Sequence, residues 1–333
     1  MSGWQLRGEA MAKVAIVGCG AMGSVYAGLM ASAGHEVHAV TLWQRHVDAI
    51  VARGLRVSGC SGDRTLRLAS ASVTTEGIGV CDLVVIATKA FDVEAAAESS
   101  KALVGLSTVV QTIQNGVGSP ERVARHIDPD RLAVGVVGGY GASIPEWGHA
   151  HHNGMEVTWF GRHAGLPRNQ LEASADIWRS SGFTVALHDD VRSMVWKKLI
   201  MNVAYSGTAS LTGLTIGRII GNGDAWRVAS ACSLEAVAVA RALGVNLGLA
   251  DPIGHVKSLG TKIADARPSM LLDAMAGRRG EVDAINGAIS RLGAEAGVPT
   301  PTNDVVVSLI RARESRLADS PGNPPHSWPF SAL

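Results

Sequence analysis

The apolar positions of the first half fall in short continuous runs bounded by glycine, and these runs alternate with stretches of helical spacing. Val14-Ala15-Ile16-Val17 is such a run, ending at a glycine, as expected of a parallel strand buried on both faces. Residues 21–33 then read as a small-residue helix closed by Gly34. Glu36 to Val40 follows as a second strand, and Gln44 to Arg53 as a second helix ending at Gly54. Leu83 to Ala87 is a third, strongly apolar strand and Val109 to Ile113 a fourth, with further strand-like segments at 134–139, 156–161 and 183–187. Alternation of this kind, with short Gly-rich connections, predicts a parallel sheet covered by helices.

The pattern changes near Asp190. Helical spacing predicts helices over 190–206, 224–243, 251–265, 268–276, 280–296 and 302–318, with Gly244, Gly277 and Gly297-Val298-Pro299 as stops. The expected fold class is α/β: an N-terminal Rossmann dinucleotide-binding domain over 12–189 and an all-helical C-terminal domain, for substrate and catalysis, over 190–318. Residues 1–11 and 319–333 are expected to be flexible tails.

The first strand runs into Gly18-Cys19-Gly20-Ala21-Met22-Gly23, a G-x-G-x-x-G that opens a helix. That context turns a weak pattern into a dinucleotide-binding expectation. The first glycine permits the tight turn, the second lets backbone approach a pyrophosphate, and the third lets the helix pack close to the sheet. Free N–H groups at the helix start attract the phosphates. An NAD enzyme usually places Asp or Glu about 20 residues further on, against the ribose 2′-hydroxyl. Here Val40-Thr41-Leu42-Trp43-Gln44-Arg45 holds no carboxylate, and Arg45 stands near to meet a 2′-phosphate. NADP is therefore the expected cofactor, with NAD as the alternative.

Composition narrows the partners. The chain has 333 residues, 30 basic and 29 acidic side chains, a net charge of +1 and a 47% hydrophobic content. No basic stripe or long apolar run occurs, so neither nucleic acid nor a membrane is an expected partner. The first residues lack a signal-peptide pattern. Cys19, Cys60, Cys81 and Cys232 are scattered without metal-ligand spacing, which suits a reducing cytoplasm. His149, His151 and His152 cluster between two strand-like segments. Their setting reads as a solvated turn, and no metal site is expected.

In the second half, Lys198, Asn202 and Ser206 are spaced by four and share one helix face. A polar stripe on an apolar helix is often solvent-facing. Two other features point to a site: Asn115 directly follows the fourth strand, where open α/β sheets gather ligands, and Ser269 and Glu281 flank the next Gly-rich helix pair.

Taken together, the loop at 18–23, Thr88-Lys89-Ala90, Gln114-Asn115-Gly116, Trp196-Lys197-Lys198-Leu199-x-x-Asn202, Pro268-Ser269-Met270 and Gly280–Gly287 resemble the ketopantoate reductases (2-dehydropantoate 2-reductases). The resemblance runs from about Lys13 to Glu314. It implies that Lys198 is catalytic, that Lys89 and Asn115 contact the cofactor, and that Asn115, Lys198, Asn202, Ser206, Ser269 and Glu281 line the substrate site. Two positions depart from the family pattern. Ser206 stands where a second asparagine is common, and Leu42 where an arginine often follows the second strand.

The implied reaction is NADP-dependent reduction of a 2-oxo acid to a 2-hydroxy acid. A protonated lysine would stabilise the developing alkoxide and donate to it. Ser206 motivates an alternative, a dehydrogenase of the same fold acting on another branched or polyhydroxy acid. A dinucleotide sensor without turnover is the remaining alternative, and Lys198, Asn202 and Glu281 together speak against it, because a sensor needs no proton donor. A homodimer is left open by the sequence.

Overall fold

The computed structural model describes residues 11–139, 141–154 and 156–318. The expected flexible tails at 1–11 and 319–333 lie outside these residues, except for Met11. The chain forms two compact units. One runs to Gln114 and resumes over Ser119–Val191; the other joins Asn115–Gly118 to the chain from Arg192 onward.

The first unit begins with β1 (Lys13–Val17), α1 (Ala21–Ser32), β2 (Glu36–Val40) and α2 (Gln44–Arg53). Three short strands follow, β3 (Leu55–Gly59), β4 (Arg64–Leu66) and β5 (Ser70–Ser72). Next come β6 (Cys81–Ile86), α3 (Val93–Ser99), β7 (Val104–Thr112), α4 (Ser119–Val123) and β8 (Leu132–Val137). The unit ends with β9 (Gly141–Glu146), β10 (His149–Gly154), β11 (Val157–Arg162), α5 (Arg168–Ser180) and β12 (Thr184–Leu187).

Eight of these strands make one sheet in the order β12-β11-β8-β7-β6-β1-β2-β5. From β5 to β8 every pairing is parallel, and β11 joins β8 antiparallel. Alternate residues of β1 serve opposite faces: Val14 and Ile16 pack with Val25, Tyr26 and Leu29 of α1, while Ala15 and Val17 pack with Val93 and Ala97 of α3. Burial on both faces is why the run carries no polar residue.

A second sheet, β4-β3-β10-β9, lies against α1. Leu55, Val57 and Ala150 join the α1 cluster, and Gly28 supplies the clearance, since a Cβ there would strike Val57. This sheet corrects the reading of the histidine cluster as a solvated turn. His149, His151 and His152 are strand residues of β10; His152 is fully buried, and His149 and His151 both hydrogen-bond Ser58 Oγ, at 2.7 and 3.0 Å.

The second unit is helical: α6 (Val191–Thr212), α7 (Ile216–Gly221), α8 (Gly223–Ala242), α9 (Pro252–Lys262), α10 (Ser269–Met275), α11 (Asn286–Ala296) and α12 (Pro301–Ala318). The helix expected over 280–296 is interrupted. A short 3₁₀ turn spans Val282–Ala284, and α11 starts only after Ile285, whose φ of −108° and ψ of −96° break the helical path. Among the described residues, no helix is long and apolar enough to cross a membrane.

The core of this unit gathers Trp196, Leu199, Ile200 and Val203 of α6 with Cys232 and Ala236 of α8, Ile289 of α11, and Val306 and Ile310 of α12. A buried polar network crosses it. Glu235 accepts the N–H groups of Thr302 and Asn303 at 2.8 and 2.9 Å, satisfying the start of α12. Asn303 Nδ2 donates to Glu235 and to the Cys232 carbonyl, and its Oδ1 accepts from Asn286 Nδ2, which also donates to the Val203 carbonyl of α6. Asn303→Ala would remove the three bonds of the Asn303 side chain and leave the backbone bonds to Glu235 and the Asn286–Val203 bond in place. A cost of about 0.5–1.5 kcal/mol is expected for each bond lost, and the shift in urea midpoint measures it.

Candidate functional site

The loop between β1 and α1 is shaped by backbone contact. Gly18 has φ +100°, and a Cβ there would collide with the backbone of Thr88, just beyond β6. A Cβ at Gly23 would strike the carbonyl oxygen of Gly18, so α1 is pressed onto its own entry loop. Gly20 differs: a Cβ there would find only the Trp43 ring at 3.6 Å, ordinary contact distance. Gly20 is also the N-cap of α1; no side chain caps the helix and its first turn holds no acidic residue. Uncapped N–H groups at a positive helix end form a seat for an anion. The residues present therefore fit a dinucleotide's pyrophosphate.

Sheet order places this loop at the topological switch, between β2 on one side and β6 on the other. Gln114, just past β7, donates through Nε2 to the carbonyls of Ile86 and Thr88 at 2.6 and 3.1 Å, tying together the strand ends that border the crevice. Lys89 is half-buried in the next turn. Cys19 is fully buried, and burial pushes its thiol up to about 11, so its side chain is a packing element. Ala21 and Met22 are half-buried in the first turn of α1, and Arg45 is exposed at the start of α2.

Two features here were not read from the sequence. Trp43 stands beside Gly20, and Trp147, in the turn between β9 and β10, lies against it with ring centroids 5.9 Å apart. Buried His46 links their supports. Its Nδ1 accepts from the Gly148 N–H at 3.0 Å, so Nε2 carries the proton and donates to Ser24 Oγ at 2.9 Å. Burial lowers His46 to about 4, which keeps the ring neutral.

In the helical unit, α6 presents Lys198, Asn202 and Ser206 at successive turns. Lys198 and Asn202 are half-buried and Ser206 only 3% exposed, so the stripe is not a solvated face. Burial brings the Lys198 ammonium down to about 8, and the carboxylate of Glu281 pulls the other way. Glu281 is itself buried, just ahead of the 3₁₀ turn. Asn115 belongs to this unit: the next residues clamp onto the same turn, with the Val117 N–H donating to the Ala284 carbonyl at 3.1 Å. Gly116, at φ +87°, lies so close to Ala284 that a Cβ could not be accommodated. Asn115 and Glu281 thus share a support. Ser269 is exposed at the first position of α10. No group of three or more metal-ligating side chains occurs among the described residues.

Comparison with known proteins agrees with this architecture. Residues 14–165 match the profile of ketopantoate reductase PanE/ApbA, and residues 190–314 match that of the PanE/ApbA C-terminal region. A 2-dehydropantoate 2-reductase of Archaeoglobus fulgidus is 31% identical, covering 92% of this chain and 99% of its own. One from Mesorhizobium japonicum is 31% identical over 90% of this chain and 97% of its own. Among solved structures, a PanE/ApbA family ketopantoate reductase from Ralstonia eutropha superposes with a TM-score of 0.83 at 32% identity, covering 92% of this chain and 99% of that one. A D-mandelate dehydrogenase, solved with NADH and anilino(oxo)acetate, superposes with a TM-score of 0.85 at 25% identity and the same coverage.

The unequal clearance around the glycines has a measurable consequence. Gly20→Ala should fold with nearly unchanged stability. Gly23→Ala should lose about 1–3 kcal/mol or more by overpacking against the Gly18 carbonyl, and parallel thermal and urea unfolding of the two variants checks the contrast.

Proposed function

The chain belongs to the ketopantoate reductase PanE/ApbA family, and from that premise we propose that it reduces a 2-oxo acid with NADPH, using Lys198 as the proton donor. It is an oxidoreductase acting on a CH–OH group, of the 2-oxo acid-reducing type. The observation that carries the assignment of roles is the half-buried Lys198, brought down to about 8, facing the charge of Glu281 on a helix that also offers Asn202 and Ser206.

Bound dinucleotide supplies hydride to the carbonyl carbon. Lys198 stabilises the oxyanion that develops and gives its proton to that oxygen. A lysine near 8 is still mostly protonated at neutral pH and yields its proton more readily than one near its ordinary value. Asn115, Asn202 and Ser269 offer amide and hydroxyl groups that fix the substrate's carboxylate and carbonyl without adding charge. Glu281 holds Lys198 in its charged form and accepts from a substrate hydroxyl. Gly18–Gly23 cradle the pyrophosphate, Lys89 and Asn115 contact the dinucleotide, and Arg45 meets the 2′-phosphate. The substrate is a small 2-oxo acid, with 2-dehydropantoate the first to test, in the cytoplasm.

Ser206 favours a second reading. It is shorter than the asparagine common in the family and almost wholly buried, so the pocket beside Asn202 differs in shape and in hydrogen-bonding capacity. A dehydrogenase for another 2-hydroxy acid fits that difference. Initial rates with NADPH and NADH across a panel of branched, polyhydroxy and aryl 2-oxo acids separate the readings. Highest kcat/KM for 2-dehydropantoate supports the first, a clear preference for another acid supports the second, and no turnover of any would leave a sensor.

Four variants test the roles. Lys198→Ala should lower kcat about 10²–10⁴-fold with dinucleotide affinity nearly intact, while Lys197→Ala should be mild. Should Lys197→Ala be the crippled variant, the proton donor is misassigned. Gly20→Val should fold and yet lose dinucleotide binding by titration calorimetry. Because the acid must be protonated, kcat/KM for reduction should be flat below pH of about 8 and fall above it. Removing the carboxylate that raises Lys198, in Glu281→Gln, should move that fall to lower pH; a limb that stays in place would sink the pairing.

A further inference from the structure

The end of β2 holds no carboxylate for the adenosine ribose, yet it exposes an unusual amount of apolar surface. Leu42 is 81% exposed and Trp43 45%, and Trp147 adds an indole that is 41% exposed. The two indoles are not scattered. They meet at an interplanar angle of 70°, and His46 sits edge-on to both, with centroids 6.4 and 6.3 Å away. Trp43 reaches the loop itself, with Cη2 at 3.6 Å from where a Gly20 Cβ would stand.

The wall is fixed from behind. His46 bonds Ser24 of α1 on one side and the backbone of Gly148 on the other. Arg53 donates to the Trp147 carbonyl at 3.0 Å, and the backbone at Gly148 packs on Ala49 of α2. Trp43 is thereby joined to the glycine loop, and Trp147 is carried to it by the small sheet. Large aromatic rings held rigidly beside an anion seat provide a stacking surface for a planar base attached to the anion.

We propose that Trp43, backed by Trp147, forms an aromatic wall that holds the adenine ring of the dinucleotide, so that stacking supplies affinity at the adenosine end while the 2′-substituent is read elsewhere. The inference rests on the dinucleotide reading above. Its consequence is distinctive: a wall that touches only the base is indifferent to the 2′-phosphate, whereas Arg45 acts on the phosphate alone.

The test is titration of the full chain with NADPH, NADH and ADP-ribose, followed by calorimetry and by quenching of tryptophan fluorescence. Trp43→Ala should weaken all three ligands by a common factor of about ten or more, Trp43→Phe should recover most of the loss, and Arg45→Ala should weaken NADPH alone. Trp147→Ala, in a hairpin turn, should give a smaller loss of the same pattern and serves if Trp43→Ala fails to fold. The wall is overturned if a folded Trp43→Ala, or Trp147→Ala in its place, binds all three ligands as the native chain does, or loses only NADPH. It is overturned also if ADP-ribose, which lacks nicotinamide, is unaffected. Failure of the native chain to bind any of the three would instead overturn the dinucleotide reading on which the wall depends.

Discussion

The first unit depends on the backbone of Gly18 lying against that of Thr88. Two parallel strands, β1 and β6, end side by side, and the chain leaving each must turn away within a few residues. Only a residue without Cβ, at φ +100°, lets the first turn pass so close to the second. That contact fixes where α1 begins. Gly23 then allows α1 to rest on the Gly18 carbonyl, so the helix N-terminus opens directly at the switch point of the sheet. An anion seat follows from packing: the same missing side chains that close the turn also leave the first-turn amides unobstructed.

The helical unit solves a different problem, how to keep a cation half-buried. Withdrawing an ammonium from water disfavours its charged form, and the nearby Glu281 carboxylate offsets part of that cost. The pair is held from both ends. Lys198 is carried by a 22-residue helix whose other faces are core, and Glu281 precedes a turn onto which Gly116 and Val117 are clamped. Asn286, which also donates to Asn303, adds rigidity by donating to the Val203 carbonyl of α6 from within the core. In the proposed role of general acid, Lys198 gains from this arrangement, because its proton affinity is set by surroundings that cannot easily relax.

Much of this was legible in the sequence wherever one physical signal dominated. Val14–Val17 of β1 and Leu83–Ile86 of β6 are apolar because both faces are buried, and the glycine loop follows the first directly. The parts that were missed have mixed signals. β4 and β5 are three-residue strands of Arg-Thr-Leu and Ser-Ala-Ser, too short and too polar to show alternation. β10 does alternate, with Ala150 and His152 buried and His149 and His151 half-buried, but histidine at a fully buried strand position disguises the period. Helical spacing through 280–296 concealed the break at Ile285, which arises from backbone dihedrals and not from any Gly or Pro there. Lys198, Asn202 and Ser206 were placed on one face by spacing alone; that the face is buried depends on tertiary packing, which spacing does not encode. Trp43 was visible as a residue but not as part of a site, because Gly148 and Trp147 reach it and its helix neighbour His46 only through the small sheet.

That convergence bears on how cofactor choice can be divided among residues. A carboxylate after β2 would couple two properties, binding the ribose of one dinucleotide and repelling the phosphate of the other. In the proposed arrangement the properties are separate. Stacking against Trp43 depends on contact area and is insensitive to salt, whereas attraction between the exposed Arg45 and a 2′-phosphate is weakened by counter-ions. Preference for the phosphorylated cofactor should therefore fade as ionic strength rises, while affinity for the unphosphorylated one changes less. A chain built this way accepts both dinucleotides at some level, and its selectivity rests on a single exposed cation that substitution can alter without disturbing the fold.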